Sequence, residues 1–257
     1  MSRNMKVVTF ATTCMGRKHH LSETLAYNIH INRYPRVEFL ILDYNSPDNL
    51  SSLVTTHYRR RLGTDLNYYR EHSRRYFMMA HAKNVAAALA LGDVVVNIDA
   101  DRYIDPELGY DVVHALAEPM TIARGSIGNT QDWSACGIIA CHKHDFIALG
   151  GYDERMVYGW GAEDHDLANR AVALGYNISL LPRCGRSIPH SEAERNSLTE
   201  SKTTSQVSAR LNGELHVDAM KRGEFIANRN LRAGMAVVTR NFAEDVRVCL
   251  RKTPVID

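Results

Sequence analysis

The sequence predicts an α/β fold, a mostly parallel sheet flanked by helices on both faces. Strand-like runs alternate with helix-periodic segments through the first 125 residues, the pattern of strand–helix–strand units. Three of the runs end in polar clusters: Thr12-Thr13, Asp43-Tyr44-Asn45 and Asp99-Ala100-Asp101. Parallel sheets bind ligands at the carboxyl ends of their strands, so these clusters should meet in one cleft.

Lys6–Thr12 is a short β-branched run, and Leu21, Leu25 and Ile29 line one face of a helix over Leu21–Ile31. Val37–Leu42 is a second strand, closed by the turn and cap residues Asp43 to Asp48. Leu50–Leu62 reads as a helix whose basic end, Arg59-Arg60-Arg61, suits the helix dipole. Asp65–Arg70 is a third strand, and Met78–Leu91 a helix rich in alanine and stopped by Gly92. The apolar run Val94–Ile98 then leads into Asp99 and Asp101. Asp105-Pro106-Glu107 opens another helix in the order cap, first-turn proline, first-turn acid. Beyond Thr121 the pattern loosens. Strands are predicted at Gly137–Cys141 and Asn177–Leu181, helices at Asp145–Leu149 and Ala162–Leu174, and a mainly helical or irregular remainder after His190.

Composition is that of an ordinary globular chain, with 45% hydrophobic and 23% charged residues. A net charge of +2 makes no general case for nucleic acid. The charge is uneven, since residues 202–252 hold ten Lys or Arg against five Asp or Glu. This region reads either as a solvated helical face or as a surface for an anionic or lipid-linked acceptor. Leu211, Leu215, Phe225, Ile226, Leu231 and Val237 would face the core, with Lys221, Arg222, Arg229 and Arg232 outward. The five cysteines, Cys14, Cys136, Cys141, Cys184 and Cys249, follow neither a zinc nor a disulfide spacing, which points to reduced thiols in a cytoplasm. No stretch approaches about 20 consecutive apolar residues, so the expectation is a cytoplasmic chain, at most peripheral to a membrane.

Asp99 and Asp101 fall on the same side of the backbone as it leaves the sheet. Two such oxygen donors suit a hard divalent cation able to hold a diphosphate, or else form a solvated turn. About sixty residues on lies a second acidic cluster, Gly159-Trp160-Gly161-Ala162-Glu163-Asp164-His165-Asp166. First-turn capping explains Glu163 and Asp164 structurally. A phosphate-binding glycine loop is missing after the first strand, where Thr12–Arg17 holds one glycine, which disfavours a sugar-nucleotide pyrophosphorylase.

Together these elements resemble the GT-A glycosyltransferases over about residues 5–190. Leu42 to Asp48, Ala82-Lys83-Asn84-Val85-Ala86 and Asp99-Ala100-Asp101 resemble the family-2 group. Gly150-Gly151-Tyr152-Asp153-Glu154 and the Gly-Trp-Gly-Ala-Glu-Asp segment resemble the galactosyltransferase motif. The segment Phe77-Met78-Met79-Ala80 departs from that pattern, which usually has an arginine near Met79.

The resemblance implies a GT-A catalytic domain over 1–200, its nucleotide-binding half 1–101 and its acceptor half 102–200, with a helical basic extension over 201–257. It implies metal-dependent transfer of a sugar from a UDP-sugar to the hydroxyl of a glycan or other acceptor, with inversion. Asp101, Asp99 and His190 would hold Mn²⁺ or Mg²⁺, and an imidazole among carboxylates favours Mn²⁺. Asp164 would act as general base and Glu163 would grip sugar hydroxyls. Donor contacts would come from Thr12, Asp43, Lys83, Asn84, Asp99, Trp160 and Gly161. Three of these have plainer alternatives: an Asx turn for Asp43, which can coexist with donor contact, an exposed helical lysine for Lys83, core packing for Trp160. Retaining transfer and a non-catalytic nucleotide-sugar-binding protein are the alternative functions.

Overall fold

The computed structural model describes residues 5–126, 133–229 and 232–250. Its first half runs β1 (Val8–Cys14), α1 (Lys18–Ile31), β2 (Val37–Tyr44), α2 (Leu50–His57), β3 (Leu66–Glu71), α3 (Met79–Leu89), β4 (Val94–Asn97). Its second half runs β5 (Arg102–Tyr103), α4 (Leu108–Ala115), β6 (Thr121–Gly125), β7 (Ile139–His142), α5 (Lys143–Ala148), α6 (Glu163–Ala173), β8 (Asn177–Leu181), β9 (Arg186–Ser187), α7 (Glu192–Asn196), α8 (Ser205–Lys221), β10 (Ala236–Arg240), β11 (Glu244–Val248). The helix expected to reach Leu62 stops at His57, and Arg59–Arg61 form a separate 3₁₀ turn.

Nine strands form one sheet in the order β11-β10-β3-β2-β1-β4-β7-β6-β8. Among the described strands of this sheet, β7 and β10 run against the rest. Side-chain alternation builds two cores. Phe10, Ile41, Val94 and Val96 face α1, α2 and α4 through Leu21, Leu25, Leu50 and Leu108. Ala11, Leu40, Leu42 and Val95 face α3, α5 and α6 through Val85, Ala86, Phe146 and Leu167. Both faces of the central strands are buried, which is why they read as continuous apolar runs.

Three strands of the nine-stranded sheet escaped the sequence reading. β6 is short, yet it pairs in parallel with β8 over five positions. β10 and β11 lie in the region expected to be helical or irregular, and they extend the sheet, β10 pairing antiparallel with β3 and β11 antiparallel with β10. Their cue was β-branched alternation around a turn. Asn241 and Phe242 take positive φ (47° and 65°), and Phe242 stacks on Tyr68 at 4.7 Å. Val237, expected in the core, is exposed on β10. Lys221, Arg222, Arg229 and Arg232 are exposed, and Leu231 lies outside the described residues.

α8 docks differently from the expectation. Leu211 and Leu215 are only half-buried, and the buried positions are Ser208, Asn212 and Ala219. Ser208 Oγ donates to Trp160 O at 2.7 Å and Asn212 Nδ2 to Gly161 O at 3.0 Å, so hydrogen bonds seat this helix on the Gly-Trp-Gly turn. Beneath that turn, Arg170 is fully buried. It donates to Asp166 Oδ2, Leu149 O and Gly151 O, each at 2.7 Å, and thereby ties α6 to the Gly150-Gly151 turn.

Arg170→Leu removes the guanidinium from the buried Asp166 carboxylate, which keeps only His216 Nδ1 at 2.9 Å. It should lower stability by about 3–5 kcal/mol in urea unfolding, and a loss below about 1 kcal/mol would show that the pair is dispensable.

Candidate active site

β4 delivers the chain to Asp99 and Asp101 at the carboxyl end of the sheet. Helix α1 fixes this turn: Thr24 Oγ1 donates to Ala100 O at 2.7 Å and Asn28 Nδ2 to Arg102 O at 2.9 Å. The chain then forms a two-stranded ribbon, β5 with β9, pairing Arg102 with Ser187 and Tyr103 with Arg186. Ile188 N donates to the Asp101 backbone carbonyl at 2.9 Å, which extends the ribbon to the residue that carries the carboxylate.

The ribbon explains how two residues far apart in sequence meet. His190 Nε2 stands 3.1 Å from Asp101 Oδ2. Burial pushes the Asp101 carboxyl up, but the His190 hydrogen bond and its charge outweigh burial and set it below the usual value. His190 Nδ1 is buried without a hydrogen-bond partner among the described residues. Two donor atoms at that separation fit one divalent ion at about 2.1 Å from each, and the carboxylate–imidazole set suits Mn²⁺. Asp99 faces the same cavity; burial raises its carboxyl, opposed by Lys83 and reinforced by Asp101.

The second acidic cluster starts α6. Ala162 takes φ +75° and turns Glu163 and Asp164 into the first helical turn. There both meet Lys83 of α3, whose Nζ lies 2.9 Å from Glu163 Oε1 and 3.0 Å from Asp164 Oδ1. The same ammonium sits 4.9 Å from the centre of the Tyr152 ring. Burial would push Lys83 down, yet Asp164 and Glu163 hold it well above its usual value. Burial pushes Asp164 up to about 7, opposed by Lys83 and reinforced by Glu163 and Asp99. A Cβ added to Gly137 would stand 3.5 Å from both Asp99 Oδ2 and Asp164 Oδ2, which measures how close the two acidic groups come.

One cavity is lined by Thr13, Lys83, Asp99, Asp101, Trp160 and His190, with the segment around α7 as its far wall. That segment is fastened at three points. Phe77 N donates to Leu198 O at 2.8 Å, and Trp160 Nε1 to Arg195 O at 3.0 Å. Glu194 takes Arg17 at 3.0 Å and His19 at 2.8 Å. Arg17, His20 and Glu194 also line the cavity, and none was singled out from the sequence. Their one cue was a basic run, Arg17-Lys18-His19-His20, directly after a polar strand end.

Comparison with known proteins agrees with this architecture. Residues 10–133 match the family described as "Glycosyl transferase family 2", and residues 119–192 match "N-terminal domain of galactosyltransferase". β-1,4-Galactosyltransferase 1 of Mus musculus is 39% identical over 64 residues, which is 23% of this chain and 16% of that protein. The mannosyltransferase PcManGT from Pyrobaculum calidifontis, solved with GDP-Man and Mn²⁺, superposes with a TM-score of 0.62 at 22% identity. The match covers 76% of this chain and 62% of that one. This is the GT-A glycosyltransferase fold. TarS from S. aureus (residues 1–349, with UDP) shares it, with a TM-score of 0.55 at 14% identity over 84% of this chain and 72% of that one.

Within the GT-A fold, several residues expected to touch donor are engaged by other groups of the protein. Asp43 is fully buried and outside the cavity lining, its carboxylate accepting from Ser46 N at 2.7 Å and from Tyr68 Oη at 2.5 Å. The Asx-turn alternative describes this geometry. Asn84 is committed to the 150–154 turn: Nδ2 donates to Tyr152 O and Glu154 Oε1, and Oδ1 accepts from Tyr152 N, each at 2.9 Å. Thr12 is buried, and its neighbour Thr13 faces the cavity. Trp160 carries the Arg195 guanidinium 5.2 Å from its ring centre, where a pyranose was expected. Gly161 takes φ +96°, and a Cβ there would lie 2.8 Å from Ala209 Cβ on α8. The positive φ of the turn and the approach of α8 each require glycine here.

Gly161→Ala should therefore destabilise the fold by about 1–3 kcal/mol through strain and overlap with α8. Adding Ala209→Gly should recover part of that loss in thermal unfolding. No recovery would mean that the close approach to Ala209 contributes nothing to the loss.

Proposed function

We propose that this chain transfers a sugar from a UDP-sugar to an acceptor hydroxyl with inversion, using Asp164 as general base and a divalent metal at Asp101, Asp99 and His190. The observation that supports it is a single cavity that joins the Asp101–His190 pair to Lys83, whose ammonium carries Glu163 and Asp164. A Mn²⁺ or Mg²⁺ ion bound there supplies neutralisation of the negative charge that grows on the departing diphosphate.

The remaining steps fall to the chain itself. Asp164 takes the proton of the acceptor O–H as that oxygen bonds to the anomeric carbon. The bond from that carbon to the diphosphate oxygen breaks, and its electron pair leaves with the diphosphate. A carboxyl pushed up to about 7 by burial is matched to accepting a proton near neutrality. Glu163, bonded to the same ammonium, offers its other oxygen to sugar hydroxyls. Base and metal ligands come from different elements, α6 against the β5–β9 ribbon, so acceptor and leaving group approach from different walls.

UDP is the favoured nucleotide because TarS is solved with UDP, and the GDP-Man complex of PcManGT makes GDP-mannose the alternative. The exposed Lys221, Arg222, Arg229 and Arg232 favour an anionic or lipid-linked glycan acceptor. No helix among the described residues is long and apolar enough to cross a membrane.

Asp164→Asn should lower donor turnover about 10²- to 10⁴-fold while leaving the donor KM near that of the wild type. In the unsubstituted enzyme kcat should rise with pH through about 7, since the base works deprotonated and Glu163, Asp99, Lys83 and Tyr152 surround it. A rate flat between about pH 5 and pH 8 would remove Asp164 from that role.

Hydrolysis of UDP-glucose, UDP-galactose, UDP-N-acetylglucosamine and GDP-mannose should require added Mn²⁺ or Mg²⁺ and cease in EDTA. Asp101→Ala should cease likewise with an unchanged melting temperature, whereas full activity in EDTA would refute the metal.

A further inference from the structure

We infer that Lys83 is a positioning residue that holds the base Asp164 in its working orientation and makes no contact with the donor diphosphate. This rests on the reading of Asp164 as base, and it departs from the donor-binding role that the resemblance implies for Lys83.

An ammonium has three donor hydrogens. Two are engaged, by Glu163 Oε1 and Asp164 Oδ1. The Nζ also lies 4.9 Å from the Tyr152 ring centre, so an aromatic face takes a further side of the cation. The Lys83 side chain is 3% exposed, Glu163 6% and Asp164 16%. Reaching a diphosphate would strip two buried carboxylates of their common counter-ion, which is strongly unfavourable.

The pairing is also selective by atom. Lys83 grips Asp164 through Oδ1, while Oδ2 has no hydrogen-bond partner among the described residues. Oδ2 is the oxygen 3.5 Å from the site a Gly137 Cβ would take, a distance it shares with Asp99 Oδ2. One oxygen is therefore anchored and the other left to receive a proton beside the donor-side carboxylate. Without the ammonium, Asp164, Glu163 and Asp99 would repel one another and Asp164 would lose its fixed rotamer.

Calorimetric titration with UDP and Mn²⁺ separates the two roles without any turnover. Lys83→Met should bind UDP within about 3-fold of the wild type, and a loss of about 10-fold or more would make Lys83 a diphosphate ligand and overturn the inference. In hydrolysis of UDP-galactose with Mn²⁺, or of GDP-mannose if that turns over faster, Lys83→Met should lose about 100-fold in kcat with KM within about 3-fold. Lys83→Arg should recover about 10-fold of that, because a guanidinium also spans two carboxylates.

The decisive comparison is the double variant. Lys83→Met/Asp164→Asn should be no slower than Asp164→Asn alone, whereas losses that multiply would show Lys83 acting independently of the base and overturn the inference. If Lys83→Met does not fold, Lys83→Met/Glu163→Gln removes one buried charge of each sign and serves in both comparisons, with Glu163→Gln as its reference. A wild-type chain that binds UDP yet hydrolyses no donor would sink the transferase reading, and the UDP titration would then decide the role of Lys83 by itself.

Discussion

Three carboxylates, Asp99, Glu163 and Asp164, crowd the carboxyl end of this sheet around one buried ammonium. The Lys83 pairs at 2.9 and 3.0 Å let α3 and the start of α6 lie against each other. Its neighbour Asn84 continues the same joint by holding both the N–H and the carbonyl of Tyr152. Two successive residues of α3 thus clamp both ends of the 152–164 segment. Arg170 holds the turn just before that segment through Leu149 O and Gly151 O. The acidic groups are held by the protein's own cations before any substrate arrives, which is what electrostatic preorganisation requires.

The proposed metal ligands depend on a different constraint. His190 reaches Asp101 because β5 and β9, two residues each, pair across the chain and continue into the Ile188–Asp101 hydrogen bond. A ribbon that short has no periodicity to read in a sequence. The histidine could be placed beside the Asp-x-Asp turn only by resemblance, and the backbone pairing supplies the physical reason. Buried Thr24 and Asn28 on α1 do similar work from below, and in the sequence they look like ordinary polar positions of an amphipathic helix.

What was legible in the sequence followed from burial. β1 to β4 are covered on both faces, so their apolar runs stood out, and the polar residues at their ends marked the cleft. What was not legible depends on long-range polar contacts. Ser208 and Asn212 seat α8 on the Gly-Trp-Gly turn, whereas a search for an apolar stripe pointed to Leu211 and Leu215. The β10–β11 hairpin is half exposed, and its pairing with β3 decides its structure more than its composition does. Asp43 and Asn84 match family positions, yet here both are consumed by turns within the fold. A motif match locates a residue, and its hydrogen bonds determine what that residue can still do.

In the proposed reaction an acceptor hydroxyl, deprotonated by Asp164, displaces the diphosphate directly from the opposite face of the sugar. Proton NMR of the first-formed sugar product from an α-linked UDP-sugar, recorded before mutarotation, tests this most directly. Direct displacement gives the β-anomer as that product. An α-anomer formed at the start of the reaction would mean retention, and would contradict a single displacement with Asp164 as base.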